Sequence, residues 1–185
     1  MTEAGTRDNT TQDGEAAEFR RELLEVLPHL RAFARGLCGR PDYADDLVQE
    51  AAIKAWGARD RFTPGTSMRA WTFAILRNHY LSELRKNRRQ TDMDDEAAER
   101  LLVMEPDQEG GLHLSDMQAA LSKLPAERRE AVLLVGAGGF TYEEAAEISQ
   151  CAVGTMKSRV ARGRAELARL LNVDPGEKLV SLIKR

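Results

Sequence analysis

Two runs of cationic residues have the composition and spacing needed to bind phosphates. Residues 67–89 carry six cations and one acidic residue, a formal charge of 6 − 1 = +5. Residues 153–171 carry 5 − 1 = +4. In both runs the cations recur on one side of a helical pattern and apolar residues recur on the other. Such a helix buries one face and presents charge on the other, so each run is a candidate site for nucleic acid.

An acidic segment separates the two basic runs. Residues 91–112 carry one cation and eight acidic residues, or 1 − 8 = −7. The whole chain of 185 residues has a formal net charge of −3, so its total hides this segregation. A single charge run is as often a solvated helix face as a binding surface, but alternating blocks point to partners. We expect a flexible linker here that mimics nucleic acid and weakens DNA binding by the free chain.

Composition argues against several other classes of protein. No apolar run approaches membrane-spanning length, and the N-terminus has no apolar signal core, which predicts a cytoplasmic protein without a membrane partner. Cys38 and Cys151 are isolated, and no histidine lies near them at metal-ligand spacing, so neither a metal nor a cofactor is expected. The sequence shows no nucleophile–base pair and no phosphate-binding glycine loop, which disfavours an enzyme.

Hydrophobic periodicity predicts an all-α fold of two small helical domains. The predicted helices span about 15–38, 42–57, 67–89, 112–124, 126–136, 141–149 and 153–171. The predicted organisation is a flexible N-terminus at 1–14, a domain at 15–90, the linker at 91–112, a second domain at 113–172 and a tail at 173–185. Trp56 and Trp71 are expected to face the core of the first domain.

Residues 141–163 have the pattern of a helix-turn-helix. Thr141 and Glu144 have capping-box spacing, and the small Ala145 and Ala146 allow a second helix to cross closely. In such proteins the outer face of the second helix enters the major groove of DNA, although similar helix pairs also occur as plain packing units. The residues predicted to face inward are Val153, Met156 and Val160, and those predicted to face outward are Thr155, Lys157, Ser158, Arg159 and Arg162.

The same segment resembles the promoter-binding domain of extracytoplasmic-function sigma factors. The matching runs are Thr-Tyr-Glu-Glu-Ala-Ala-Glu-Ile at 141–148 and Val-Gly-Thr-Met-Lys-Ser-Arg-Val at 153–160. The family usually has glycine at the turn position of Gln150, so we expect this glutamine to strain or reshape the turn. The resemblance implies that the residues binding the −35 element are Thr141, Tyr142, Gly154, Thr155, Lys157, Ser158, Arg159 and Arg162.

A second resemblance lies in the N-terminal domain. The run Asp-Asp-Leu-Val-Gln-Glu at 45–50, with Lys54-Ala55-Trp56, is similar to the family's helix that docks on RNA polymerase. From spacing alone, the polar members share one helical face, and that spacing favours a merely solvated face over a docking surface. The resemblance implies that the polymerase-binding residues are Asp46, Leu47, Gln49, Glu50 and Lys54.

A third resemblance follows it. The run Arg-Phe-Thr-Pro-Gly-Thr-Ser at 61–67 and Arg69-Ala70-Trp71 resemble the loop and helix that open the −10 element. Loop hydroxyls can read an extruded base, and cations on the next helix can hold single-strand phosphates. The resemblance implies that the −10 residues are Arg61, Phe62, Thr63, Ser67, Arg69, Arg77, Asn78, Tyr80, Arg85 and Lys86.

The three matches occur in the family's order across residues 15–171. Together they imply a non-enzymatic sigma factor whose partners are core RNA polymerase and promoter DNA. The run Cys-Ala-Val-Gly-Thr at 151–155 and the short acidic linker resemble the general-stress-response branch. That branch implies control by a small helical anti-sigma protein of the NepR type, which a phosphorylated response regulator removes. The alternatives are a stand-alone helix-turn-helix regulator and a protein-interaction module that binds no DNA.

Overall fold

The computed structural model describes residues 4–91 and 112–173, and every regular element within those ranges is helical. This confirms the all-α prediction. The α-helices are α1 (Ala4–Cys38), α2 (Pro41–Gly57), α3 (Met68–Thr91), α4 (Leu112–Lys123), α5 (Ala126–Val132), α6 (Tyr142–Ser149) and α7 (Val153–Leu171). A 3₁₀ turn at Arg59–Arg61 lies between α2 and α3, and a π-helical turn at Leu133–Ala137 extends α5.

Helix α1 differs from the sequence-based expectation in where it begins and in its continuity. Helix α1 begins at Ala4, inside the segment for which a flexible lead-in was predicted. It also continues through Pro28, where a kink or weak point was expected. Pro28 is exposed, whereas Val26 and Leu30 on either side are buried, so packing of the flanking turns keeps the helix continuous. The predictions for the linker and for the C-terminal tail beyond residue 173 fall outside the described residues.

Helices α1, α2 and α3 form an N-terminal lobe. Pro41 opens α2 at its first helical position, where a missing backbone N–H removes no helical bond. An apolar stripe then runs along α2 at three- and four-residue steps and faces α1 and α3. Its buried members are Ala44, Leu47, Val48, Ala51 and Ala55.

Helices α4 to α7 form a C-terminal lobe. Helix α7 packs across α5 and α6 and buries Met156, Val160 and Leu167 from its inner face. Because this stripe recurs every three or four residues, the rest of α7 is left available on the outside.

The two lobes pack directly against each other. Gly36 of α1 lies against the side chain of Leu133, so close that an added Cβ would sit 2.5 Å from Leu133 Cδ2. Phe140, just after the π-helical turn, meets Phe73 of α3 edge-to-face at 4.9 Å between ring centroids. Buried residues of both lobes therefore form one continuous apolar cluster, an arrangement that the sequence did not predict. We refer to this contact as the interlobe interface.

Candidate nucleic-acid interface

Helices α6 and α7 form the predicted helix-turn-helix. The Thr141 hydroxyl accepts a hydrogen bond from the Glu144 backbone N–H at 3.1 Å, and the Thr141 backbone N–H donates to the Glu144 carboxylate at 2.8 Å. This capping box fixes the start of α6. At its end Gln150 adopts left-handed angles, φ 53° and ψ 47°, so the turn position does require the conformation that glycine adopts at least cost.

The outer face of α7 matches the predicted pattern. Val153 is half-buried, and Met156 and Val160 are buried, as expected for the inward set. The predicted −35 residues that are solvent-exposed on α7 are Gly154, Thr155, Lys157, Ser158 and Arg162. Thr141 and Tyr142 lie at the start of α6, where the first helix of such a motif crosses the DNA backbone.

Two cations of this face already have partners within the lobe. Arg159 Nη2 donates to Glu127 Oε2 at 2.7 Å, so its guanidinium is tethered to α5. Lys157 Nζ lies 5.8 Å from the centroid of the Tyr142 ring, a cation–π distance. Both contacts involve exposed or half-buried groups, so neither prevents the cation from moving to DNA.

The predicted docking face on α2 is exposed, with one exception. Asp46, Gln49, Glu50 and Lys54 all reach solvent, and Lys54 Nζ lies 3.9 Å from Glu50 Oε2. Leu47 is only 1% exposed and belongs to the core, so in this structure it supports the helix and offers no contact surface.

Two apolar side chains near that face were misjudged or missed. Trp56 was expected to face inward but is 40% exposed, because it lies at the end of α2, where Phe19 covers only part of its ring. Ile53 is 64% exposed and follows Gln49 by four residues and Glu50 by three, which places it on the docking face. The sequence could have indicated Ile53 as a contact residue, because an apolar residue at that spacing on a polar face is a candidate for binding a partner.

The loop before α3 exposes most of its predicted −10 residues. Arg61, Thr63 and Ser67 are exposed, and Phe62 is half-buried. Residues 63–66 form a tight turn in which the Thr66 N–H donates to the Thr63 carbonyl at 3.1 Å and Gly65 adopts φ +83°. Proline followed by such a glycine is typical of a type II turn. The Ser67 hydroxyl then caps α3 by accepting from the Ala70 N–H at 3.1 Å.

Helix α3 presents only part of its predicted −10 set to solvent. Asn78, Arg85 and Lys86 are exposed. Tyr80 is half-buried, and its hydroxyl donates to the Leu37 carbonyl at 3.4 Å. Burial raises the pKa of Tyr80, which keeps this donor protonated.

Arg69 and Arg77 lie in the interlobe interface. Arg77 Nε donates to Glu130 Oε1 at 2.6 Å, Arg77 Nη2 donates to the Ser149 carbonyl at 3.1 Å, and the Ser149 hydroxyl donates to the same carboxylate. The Arg77 and Glu130 side chains are 12% and 11% exposed. Arg69 Nη2 donates to the Gly138 carbonyl, and its guanidinium lies 5.0 Å from the Phe140 ring centroid. Both arginines are therefore occupied by the C-terminal lobe in this arrangement.

Other chemistry is limited in the described part of the chain. Within residues 4–91 and 112–173, His, Cys, Asp and Glu side chains form no group suited to holding a metal ion. Among the helices described, none is long and apolar enough to cross a membrane. Burial and the neighbouring Lys54 lower the pKa of His79, whose Nδ1 lies 2.7 Å from Lys54 Nζ.

Comparison with known proteins defines the class to which this arrangement belongs. The N-terminal lobe matches Sigma-70 region 2 over residues 23–90, and the C-terminal lobe matches Sigma-70 region 4 over residues 114–167. The chain is 49% identical to the ECF RNA polymerase sigma factor EcfG of Rhodopseudomonas palustris over 159 residues, which cover 86% of this chain and 88% of that relative.

Two solved structures share the fold. The sigma factor RpoE of Bartonella quintana, in complex with the anti-sigma factor NepR, is 47% identical with a TM-score of 0.75, over 85% of this chain and 98% of that one. CnrH, in complex with the cytosolic domain of CnrY, is 28% identical with a TM-score of 0.61, over 85% of this chain and 95% of that one.

The chain belongs to the extracytoplasmic-function (ECF) RNA polymerase sigma factors, in their EcfG branch. It is a transcription initiation factor, not an enzyme, and its partners are core RNA polymerase and promoter DNA.

Proposed function

We propose that the two lobes divide promoter recognition between them. The domain at 15–90 docks on core polymerase through α2 and reads and melts the −10 element through the loop at 61–67 and α3. The domain at 113–172 reads the −35 element through the outer face of α7. The observation that carries this division is the separation of surfaces: α7 presents exposed cations and hydroxyls in a capped helix-turn-helix, while α2 presents an exposed acidic and amide face.

The α2 face suits a partner of opposite charge. Within residues 4–91 and 112–173, the exposed Asp46 forms no ion pair and the exposed Glu50 pairs with Lys54 at 3.9 Å, whereas the neighbouring Asp45 pairs with Arg31 at 2.8 Å. Their charge is thus available to steer a basic protein surface. Ile53 adds an exposed apolar residue to the same face. Binding hot spots commonly consist of such a residue with polar residues around it.

A small helical anti-sigma protein of the NepR type is the expected regulator. The supporting observations are the 47% identity to a sigma factor solved with NepR and the 49% identity to an EcfG protein. The same identities support a role in the general stress response, in the cytoplasm where core polymerase acts. In the arrangement described, Arg69 and Arg77 bind acceptors of the C-terminal lobe, so these two side chains of the free chain are not available to bind −10 DNA.

The decisive experiment is transcription in vitro with core polymerase on a promoter library, with and without the chain. Enrichment of promoters that share a −35 and a −10 element supports the proposal, and addition of a NepR-type protein should abolish it. A chain that binds duplex promoter DNA but neither associates with core polymerase nor stimulates transcription would instead be a stand-alone helix-turn-helix regulator.

A further inference from the structure

The N-terminal half of α1 contributes a side chain to the packing of the −10 loop. Phe19 is 8% exposed, and its ring meets three aromatic rings edge-to-face. The centroid distances are 6.0 Å to Trp56 at the end of α2, 5.7 Å to Phe62 in the loop and 6.0 Å to Trp71 in α3. Phe62 and Trp71 also contact each other at 5.3 Å. These four residues are called the aromatic cluster below.

Phe62 connects the loop to this cluster. The turn that follows it, at 63–66, is exposed and holds its own shape through the Thr66 hydroxyl and N–H, which both donate to the Thr63 carbonyl. Ser67 fastens the far end of the loop to α3. The ring of Phe62, set between Phe19 and Trp71, therefore fixes where the near end of the loop lies.

Phe19 lies outside the stretch that matches Sigma-70 region 2, which begins at residue 23. Its three ring partners all lie inside that stretch. Edge-to-face contacts between aromatic rings are directional, so a ring at position 19 restricts Phe62 more than an aliphatic side chain of similar size would. A residue beyond the family match thus completes the support of a loop within it.

We propose that Phe19 is a positioning residue for recognition of the −10 element. By packing on Phe62 and Trp71, it holds the loop at 62–67 in the shape that captures an unpaired base. This inference rests on the proposed function of that loop. Reading an extruded base requires hydroxyls and backbone groups at fixed positions, so a loosened loop loses affinity for single-stranded −10 DNA. Polymerase docking through Asp46 and Glu50 and −35 binding through α7 use residues outside the cluster and should be unaffected.

The chain offers a clean spectroscopic reporter for this role. It has two tryptophans, and both belong to the aromatic cluster. In Phe19→Ala we expect the tryptophan emission of the full chain to shift to longer wavelength, because water reaches the half-buried Trp71 and more of the already exposed Trp56. Phe19→Tyr keeps a ring and should retain the wild-type spectrum. Leu24→Ala, at a 55% exposed position on the same helix, is the matched control and should also leave it unchanged.

The functional test uses the full chain bound to core polymerase. The probe is a single-stranded −10 oligonucleotide with 2-aminopurine at the extruded base, taken from a promoter that the wild type selects. Phe19→Ala should bind it roughly tenfold more weakly, the effect of about one lost base contact, while polymerase affinity and −35 duplex binding stay at the wild-type level. Phe19→Tyr should restore −10 binding.

Two results would overturn the positioning role. One is wild-type −10 binding by Phe19→Ala despite a shifted tryptophan spectrum. The other is a parallel loss of polymerase, −35 and −10 binding with a lower Tm, which would make Phe19 a residue of the fold only. If the wild-type complex itself binds no −10 strand, the assignment of the loop fails first, and the role of Phe19 fails with it.

Discussion

The outer face of α7 is the surface that residue spacing predicted best. Inward and outward positions on a helix follow from its 3.6-residue period, so the exposed Thr155, Lys157 and Ser158 could be identified without coordinates. The tether between Arg159 and Glu127 could not, because its partners lie 32 residues apart on different helices. Sequence spacing predicts which residues are neighbours on one helix, but it does not predict which residues of two different helices meet.

Arg159→Ala should weaken binding to the −35 element by about 1–3 kcal/mol and relax specificity at one base pair, since arginine can bond guanine at two points. Lys157→Ala should weaken all sequences alike and reduce the salt slope of binding by about one, as expected for a phosphate contact. Fluorescence anisotropy at several salt concentrations measures both. Arg169→Ala, an exposed arginine in the last turn of α7, is the control. Equal affinity of all three variants would show that α7 does not read DNA.

Gln150→Gly should stabilise the chain by up to about 1 kcal/mol, because a non-glycine residue with φ 53° carries a steric cost that glycine lacks. Asn172 ends α7 at the same φ, but asparagine tolerates left-handed angles better, so Asn172→Gly should gain less. Thermal unfolding of the two variants compares them directly. A larger gain at position 172 would contradict the idea that the turn of the helix-turn-helix is strained by its glutamine.

At the scale of elements, α2 shows how far a helical pattern can be interpreted. The polar stripe was assigned to the surface correctly, whereas Leu47 was included among docking residues because it stands inside the resembling motif. Its spacing from Ala44 and Ala51 predicts the buried stripe instead, so periodicity and the resemblance disagreed at this position, and the structure agrees with periodicity. The prediction that Trp56 faces the core was wrong for a different reason. The spacing of apolar residues does not show how completely other helices cover the last turn of a helix.

Asp46→Arg should abolish binding to core polymerase while Tm stays near the wild-type value, because Asp46 is exposed and charge reversal acts on the partner. Asp42→Arg, at an exposed position in the first turn of the same helix, is the matched control and should keep its affinity. Asp45→Arg should behave differently from both. It breaks the ion pairs with Arg31 and Arg35, so we expect this variant, unlike the other two, to lower the Tm. Unchanged polymerase affinity of Asp46→Arg in a titration removes the docking assignment.

At the scale of the whole molecule, two cations predicted to bind −10 DNA, Arg69 and Arg77, lie in the interlobe interface. Arg77 was predicted to hold −10 DNA from its place on a basic helix, and the structure has it paired with Glu130, 53 residues away. A buried pair of this kind is costly to break by removing one partner, since the other charge is left without compensation. No periodicity predicts this pairing, because both lobes could form separately and the contact depends on how they meet.

Gly36→Glu should separate the lobes. A Cβ there meets the Leu133 side chain of the other lobe, so the substitution opposes closure. The radius of gyration from small-angle scattering should rise, and the Tm should fall because the apolar contact between the lobes is lost. Gly14→Glu is the matched control on the same helix, where an added Cβ meets nothing within 4 Å. An unchanged scattering profile for Gly36→Glu would mean that the lobes are not held by this contact in solution.

Opening the lobes should affect the two promoter elements unequally. Separation releases Arg69 and Arg77, so Gly36→Glu in complex with core polymerase should bind single-stranded −10 DNA at least as well as the wild type. Duplex −35 binding should not change, since the outer face of α7 is exposed with the lobes closed.

The effect of ionic strength distinguishes closure of the lobes by the interlobe interface from closure by the acidic linker. Attraction between an acidic segment and exposed cations fades as ionic strength rises, whereas the interlobe interface is largely apolar and its Arg77–Glu130 pair is nearly buried. We therefore expect the scattering profile of the wild type to stay compact between low and high salt, and that of Gly36→Glu to be expanded in both. Expansion of the wild type at high salt would instead assign closure to the linker.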